Sequence, residues 1–470
     1  MPFLSINKPR SIQLRYADEC QHIMCNGDTG TGKSTLLRQL MHYAADCGDA
    51  AIVLDSKVEF VPEFYDERRG DFILSPKDER CPWWSIGDEV SDETDAISVT
   101  RALYPSHNNN PQAEWFETQA TRISAYLLTY SQPRPTCADF GYWMAHPEEI
   151  DRRIEGSEYE HTLSKNSAPQ RNGVLATLNL AGMSLRMMPA KRRGRRPFHV
   201  RNWCKQRQGW LFLPNTQDTR EALRPLQSMW IDLLLLRLMS MGPRPDLPRV
   251  WIFLDELASL NTLPSLHTAI TEMRSTGNPI VMAMQNLADL EMLYGKKSET
   301  IFSQTYTKFV LRTSDGRSAE SLSKLAGDVE LLRLRETHSH GPSVRGRNAS
   351  FSTETVREPR VLPSQIGALQ NLEGLLFQPG VVVPFHMHRL PVFQRAPRLI
   401  ERTIPSMYQR PPAKSGETPP SQMPAQGALP LTTESAATTT GAAPEGQGTA
   451  SKKVLRKKPA AAANSMESDQ

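Results

Sequence analysis

One short run carries the first chemistry. Gly27-Asp28-Thr29-Gly30-Thr31-Gly32-Lys33-Ser34 satisfies G-x-x-x-x-G-K-[ST] in full, and Thr35 follows it. Glycines without a Cβ let backbone N–H groups turn inward around phosphate oxygens. The spacing puts Lys33 at the β- and γ-phosphates and the Ser34 hydroxyl on Mg2+. A helix beginning at Lys33 adds the positive end of its dipole. Residues Gly27 to Thr35 are therefore expected to bind ATP.

A second group lies far along the chain. Trp251-Ile252-Phe253-Leu254 is an apolar run ending in Asp255-Glu256. Carboxylates at the C-terminal end of a core strand sit where open α/β sheets bind ligands. Asp255 is expected to share the Mg2+ with Ser34, and Glu256 to polarise the attacking water as a general base. Gln285 ends the apolar run Pro279 to Met284. It is either a sensor of the γ-phosphate or an ordinary turn residue. Arg274 follows a helical pattern and is either an arginine finger reaching across a subunit boundary or a solvated cation. Asp55-Ser56-Lys57 closes another strand pattern. It orients groups near the nucleotide, contacts DNA, or makes a plain turn.

These groups need a scaffold, and the hydrophobic periodicity supplies one. Ile12 to Arg15 and Gln21 to Asn26 read as strands, Ser34 to Ala45 as a helix, and Ala50 to Leu54 as a buried strand. Strand, glycine loop, helix, strand opens a parallel α/β nucleotide-binding core. From about Thr94 to Arg186 the pattern turns helical, over Ile97 to Leu103, Trp115 to Leu128 and Gly173 to Met187. A basic run follows at Lys191, Arg192, Arg193, Arg195 and Arg196. Strand patterns return at Gly209 to Leu213, Arg249 to Leu254, Asn278 to Met284 and Lys308 to Leu311, with a long helix over Leu223 to Met241. After Arg402 the chain is rich in Pro, Ala, Thr, Ser and Gly. It cannot bury enough apolar area to offset its ordering entropy, so a disordered tail is expected. The tail carries Lys452, Lys453, Arg456, Lys457 and Lys458.

Composition excludes other classes. The 470 residues exceed one ordinary domain. The net charge of +4 is compatible with nucleic-acid contact without requiring it. Six scattered cysteines form no C-x-x-C pair, so zinc sites and disulfide frameworks are not expected. The longest apolar stretch, Met229 to Met241, is too short for a bilayer and contains Asp232 and Arg237.

Taken together, these residues resemble the type IV secretion coupling proteins, the TraD/TrwB class of conjugative DNA-translocating ATPases. Asp55-Ser56-Lys57 looks like that family's Asp-x-Lys segment. Leu74 to Arg80 followed by Trp83-Trp84 looks like its LNPxDxR…W stretch. Thr271 to Gly277 and then Gln285 look like its E-x-R…G and Q-S segments, with Asn286 where the family commonly has Ser. Leu311 to Asp315 and then Leu325-Ala326-Gly327 look like its last core segment. The resemblance implies an α/β fold: a RecA-like P-loop NTPase core of mostly parallel sheet, an inserted all-α domain, and the disordered tail. Residues 1–93 and 201–401 would form the motor domain, 94–200 the insertion and 402–470 the tail. It implies an ATP- and Mg2+-dependent DNA translocase, with Arg274 as the finger and Gln285 as the sensor. The implied assembly is a homo-hexameric ring around single- or double-stranded DNA, serving a relaxase complex and a type IV secretion channel. Family members usually begin with two transmembrane helices, whereas this chain starts almost at the motor. A cytoplasmic location is therefore expected, with recruitment to the inner membrane through other components. Two alternatives stand beside this reading: an FtsK/HerA-type DNA motor, which would lack the helical insertion, and a recruiter of protein substrates for secretion.

Overall fold

The computed structural model describes residues 14–104, 110–339 and 348–404. Strands β1 (Ile23–Asn26), β2 (Ala50–Asp55), β3 (Phe72–Ile73), β4 (Leu211–Pro214), β5 (Val250–Leu254), β6 (Ile280–Met284) and β7 (Thr307–Leu311) pair in parallel. β8 (Asp328–Ser339) and β9 (Asn348–Pro359) form a separate antiparallel hairpin. β10 (Glu373–Gln378) and β11 (Val381–His386) then extend the main sheet antiparallel beyond β7. The resulting order is β11-β10-β7-β1-β6-β5-β2-β4-β3. This is a RecA-like architecture, with the glycine loop leaving a central strand.

The central strands read as unbroken apolar runs because both sheet faces are covered. Alternation then sends successive side chains to opposite cores. Trp251 and Phe253 of β5 join Ile23, Cys25, Val53 and the helix Lys33–Asp46 on one face. Val250, Ile252 and Leu254 join a larger core on the other face. That core includes the helix Arg220–Ser240 and the helices between β3 and β4, among them Pro111–Tyr130, Cys137–Ala145 and Ala168–Arg186. Trp84 packs edge-on to Trp230 at 5.4 Å where the two parts meet. Arg237 donates to Asp95 at 2.8 Å in the same seam.

Several boundaries differ from the sequence reading. Leu14 and Arg15 are not strand: Arg15 caps a short helix, Tyr16–Glu19, and its guanidinium pairs with Asp18 at 2.9 Å. Residues 12 and 13 lie outside the described residues. β1 begins at Ile23 because His22 adopts φ 67°, which breaks the extended run. Strands β3, β8, β9, β10 and β11 carried no recognised signal. The tail cluster Lys452 to Lys458 lies outside the described residues. Arg402 is inside them, and its guanidinium donates to the carbonyls of Pro76 and Met187. Among the described residues no helix is long and apolar enough to cross a membrane.

Candidate active site

The site grows from sheet order. β1, β6 and β5 are neighbours, so the segments leaving their C-terminal ends lie side by side. Those segments are the glycine loop, Gln285 and Asp255-Glu256. They line one cavity of ≈ 360 Å³ with Thr29, Gly30, Gly32, Lys33, Ser34 and Thr35.

The glycine loop is held from several sides. Gly30 and Gly32 take φ 79° and 124°, a region closed to most side chains. A Cβ on Gly27 would lie 2.7 Å from the Leu311 Cβ. The Asp28 amide donates to the Arg312 carbonyl at 2.8 Å, and the Asp28 carboxylate accepts from the Ser314 amide at 2.8 Å. The Thr31 hydroxyl donates to the Asp28 carbonyl at 2.8 Å. Gly27, Asp28 and Thr31 therefore shape the loop from behind, and none of them lines the cavity. Lys33 Nζ donates to the carbonyls of Gly27 at 2.6 Å and Asp28 at 3.0 Å. Burial lowers the Lys33 pKa from its ordinary value.

The carboxylates face the loop. Asp255 is 7% exposed, and its carboxylate accepts no hydrogen bond from any described residue. Burial pushes it up to about 7, and the negative charge of Asp55 adds to the shift, while Lys57 opposes it. A desolvated acid without donors needs a cation, so this group fits a divalent metal, and Ser34 lines the same cavity. Asp55 itself is occupied: its two oxygens accept from the amides of Glu59, Phe60 and Val61 at 2.8 to 3.0 Å. Its burial also raises its pKa. The Asp55 segment is thus a carboxylate-capped turn, and that turn delivers Lys57 to the cavity.

Gln285 spans the site. The Thr29 hydroxyl donates to Gln285 Oε1 at 3.2 Å, and Gln285 Nε2 donates to Glu256 Oε2 at 3.0 Å. One amide therefore connects the glycine loop to the Glu256 carboxylate. Its backbone carbonyl accepts from Asn26 Nδ2 at 3.3 Å, which fixes the residue at the end of β1.

Arg274 is elsewhere. It follows the helix Leu266–Glu272 and precedes β6, and it donates to Gln21 Oε1 at 2.8 Å, just ahead of β1. It therefore sits at the opposite, N-terminal end of the central strands from the cavity, about 15–20 Å away at ~3.3 Å per strand residue. Sequence reasoning missed two cavity cations, Arg220 and Arg389. Arg220 opens the helix after β4 and donates to the Ser56 carbonyl at 3.3 Å. Its signal was its position just past a core strand end, the same rule that singled out Gln285. Arg389 follows β11 and carried no such signal.

A family model for the type IV secretion-system coupling protein DNA-binding domain matches residues 9–391. The chain belongs to this coupling-protein family. Coupling protein TraD of Escherichia coli (strain K12) is 28% identical over 402 residues, covering 82% of this chain and 54% of TraD. The chain thus spans about half the length of that relative. The bacterial conjugative coupling protein TrwBdeltaN70, in an unbound monoclinic form, superposes with TM-score 0.73 at 26% identity, covering 84% of this chain and 92% of that one. Plasmid coupling protein TrwB in complex with ADP and Mg2+ superposes with TM-score 0.71 at 26% identity, covering 84% and 93%.

Proposed function

We propose that this coupling protein hydrolyses ATP with Mg2+ and uses the energy to translocate DNA. The observation that carries the reading is the convergence of Lys33, Asp255, Glu256 and Gln285 on one cavity at the C-terminal edge of the sheet. The TrwB complex with ADP and Mg2+ supports the choice of ligand. Mg2+, when bound, neutralises charge on the phosphate oxygens. Ser34 and Asp255 would hold it. Lys33 would exchange its two loop carbonyls for phosphate oxygens, and Glu256 would accept the proton of the attacking water. Gln285 holds the Glu256 carboxylate and reports the state of the glycine loop through Thr29.

Arg274 lies too far from the cavity of its own subunit to touch it. We assign it to a neighbouring subunit's cavity, which fits a closed ring such as a homo-hexamer. The DNA reading rests on the family, whose matching model describes a DNA-binding domain. The helices between β3 and β4 favour it over a motor of the FtsK/HerA type. The family's description supports a type IV secretion channel as a partner, and the motif resemblance adds a relaxase complex. Recruitment to the inner membrane through those partners belongs to the same proposal.

The test is phosphate release by the full chain with and without single-stranded DNA. Stimulation by DNA, lost in Lys33→Ala, is the expected result. Hydrolysis that ignores DNA but responds to a secreted protein would favour the substrate-recruiter reading instead.

A further inference from the structure

A second cavity, of ≈ 240 Å³, opens beside β3, the edge strand. It lies near Gly70, before β3, whereas the nucleotide cavity lies past the C-terminal ends of the strands. Phe72, Arg196, His199, Asn202, Gln206 and Gln208 line it. The Arg196 guanidinium lies 4.2 Å over the Phe72 ring and donates to the carbonyls of Asp71 and Gly70 at 3.3 Å. The side-chain amides of Asn202, Gln206 and Gln208 have no partner among the described residues. Next to the cavity, Trp83 meets His199 edge-on at 6.3 Å, and Lys191 Nζ stands 4.9 Å over the Trp83 ring.

The basic run Lys191 to Arg196 leads into the cavity, where Arg196 lines it. Its backbone is pinned: the Trp83 amide donates to the Arg196 carbonyl at 2.9 Å, and the Phe198 amide to the Trp83 carbonyl at 2.8 Å. Arg195 is paired with Glu79 at 2.7 Å. Lys191, Arg192, Arg193 and Arg196 are exposed, and no carboxylate among the described residues pairs with them. Four like charges held on one strip without counter-charges repel one another, and a polyanion relieves that repulsion.

We propose that this strip binds single-stranded DNA, with phosphates on Lys191, Arg192, Arg193 and Arg196 and one base in the cavity beside Phe72. The choice of strand state follows from the chemistry. Phosphate contacts alone serve a duplex equally well. An aromatic ring under a guanidinium plane offers a stacking platform, and three free amides offer donors and acceptors to a base edge. A duplex keeps its base faces stacked and its edges paired. The cavity is smaller than the 300 Å³ or so of an ordinary ligand pocket, which suits a single ring system. The proposal rests on the reading of DNA as substrate and adds where one strand is gripped.

Fluorescence anisotropy of a labelled oligo(dT) and of a duplex of equal length, measured on the full chain across a salt series, tests it. In Lys191→Gln/Arg192→Gln/Arg193→Gln the slope of log K against log salt should fall by about 2, since each single-strand phosphate contributes ~0.7. Asn202→Ala/Gln206→Ala and, separately, Phe72→Leu should each weaken oligo(dT) about fivefold or more and leave the duplex unchanged. DNA-independent ATP hydrolysis should match wild type in all three variants, which reports that they fold. Wild-type binding of oligo(dT) by the folded triple variant overturns the site while leaving DNA as substrate intact. Equal losses for single strand and duplex in the cavity variants overturn the base pocket. A wild-type chain that binds neither oligonucleotide removes the DNA reading itself.

Discussion

The Gln285 bridge makes a quantitative prediction. Gln285→Leu keeps the side-chain bulk and removes both hydrogen bonds, at 3.2 Å to Thr29 and 3.0 Å to Glu256. A bond to a carboxylate is worth roughly 1.5–3 kcal/mol and a neutral one roughly 0.5–1.5 kcal/mol. Gln285 is only half-buried, so the lower halves of those ranges apply, and the sum is about 2–3 kcal/mol. If the bridge orients Glu256 toward water, that energy is lost in the transition state. The kcat for ATP hydrolysis should then fall about 30- to 160-fold, with KM within about twofold, because Gln285 is not assigned a ground-state phosphate contact. Thr29→Val removes the weaker of the two bonds and should cost about two- to fivefold. The two substitutions share a single link, so the double variant should be no slower than Gln285→Leu alone. Steady-state phosphate release at saturating DNA measures all three variants. Additive losses would refute a common relay, and an unchanged kcat in Gln285→Leu would refute any orienting role.

Other outcomes follow from the same geometry. Lys33→Ala should abolish hydrolysis, and Glu256→Gln should bind a fluorescent ATP analogue yet turn over slowly; equal turnover to wild type would remove Glu256 as the base. Arg274→Ala protein mixed with Glu256→Gln protein should regain activity above either parent, because a finger acting between subunits pairs an intact arginine with an intact carboxylate at some interfaces. No rescue between well-assembled variants would leave Arg274 without a role across the boundary. His22 is fully buried, its Nδ1 accepts from the Ile280 amide at 3.1 Å, and burial drops its pKa to about 4. Between about pH 6.5 and 4 the unfolded chain therefore binds a proton that the folded chain refuses, so stability falls as pH falls through that window. The loss, up to about 3 kcal/mol at 1.36 kcal/mol per pH unit, should shrink in His22→Asn. Asparagine tolerates the positive φ and still accepts from Ile280. A urea-unfolding series from pH 4 to 7 checks this, and identical pH slopes in both proteins would contradict it.

The glycine loop was legible because its chemistry is local. Its glycines, Lys33 and Ser34 act within one turn of chain, so their spacing alone specifies a phosphate cradle. Asp255 and Glu256 were legible for a related reason: an apolar run too short for a helix and ending in acids describes a buried strand and its mouth. The central strands showed themselves because a sheet covered on both faces needs continuous apolar runs. The hairpin β8–β9 and the strands β10 and β11 did not. The hairpin strands mix Arg, Glu and Thr with Leu and Val, so neither reads as an apolar run or a clean alternation, while β10 and β11 are short segments whose place in the sheet depends on pairing with β7, far earlier in the chain. What the tertiary structure alone decided is adjacency. Nothing local to Gln285 says that β6 lies between β1 and β5, yet that order is what lets one amide reach both Thr29 and Glu256. Lys57, Arg220 and Arg389 meet in the same cavity only because β2, β4 and β11 end on its side. Arg274 shows the converse: it lies near Gln285 in sequence and a strand's length from the cavity in space. Spacing within a turn is set by bonded geometry and can be read from neighbouring residues. The order of strands in a sheet is set by the summed packing of two whole cores, and no short stretch of sequence contains that sum.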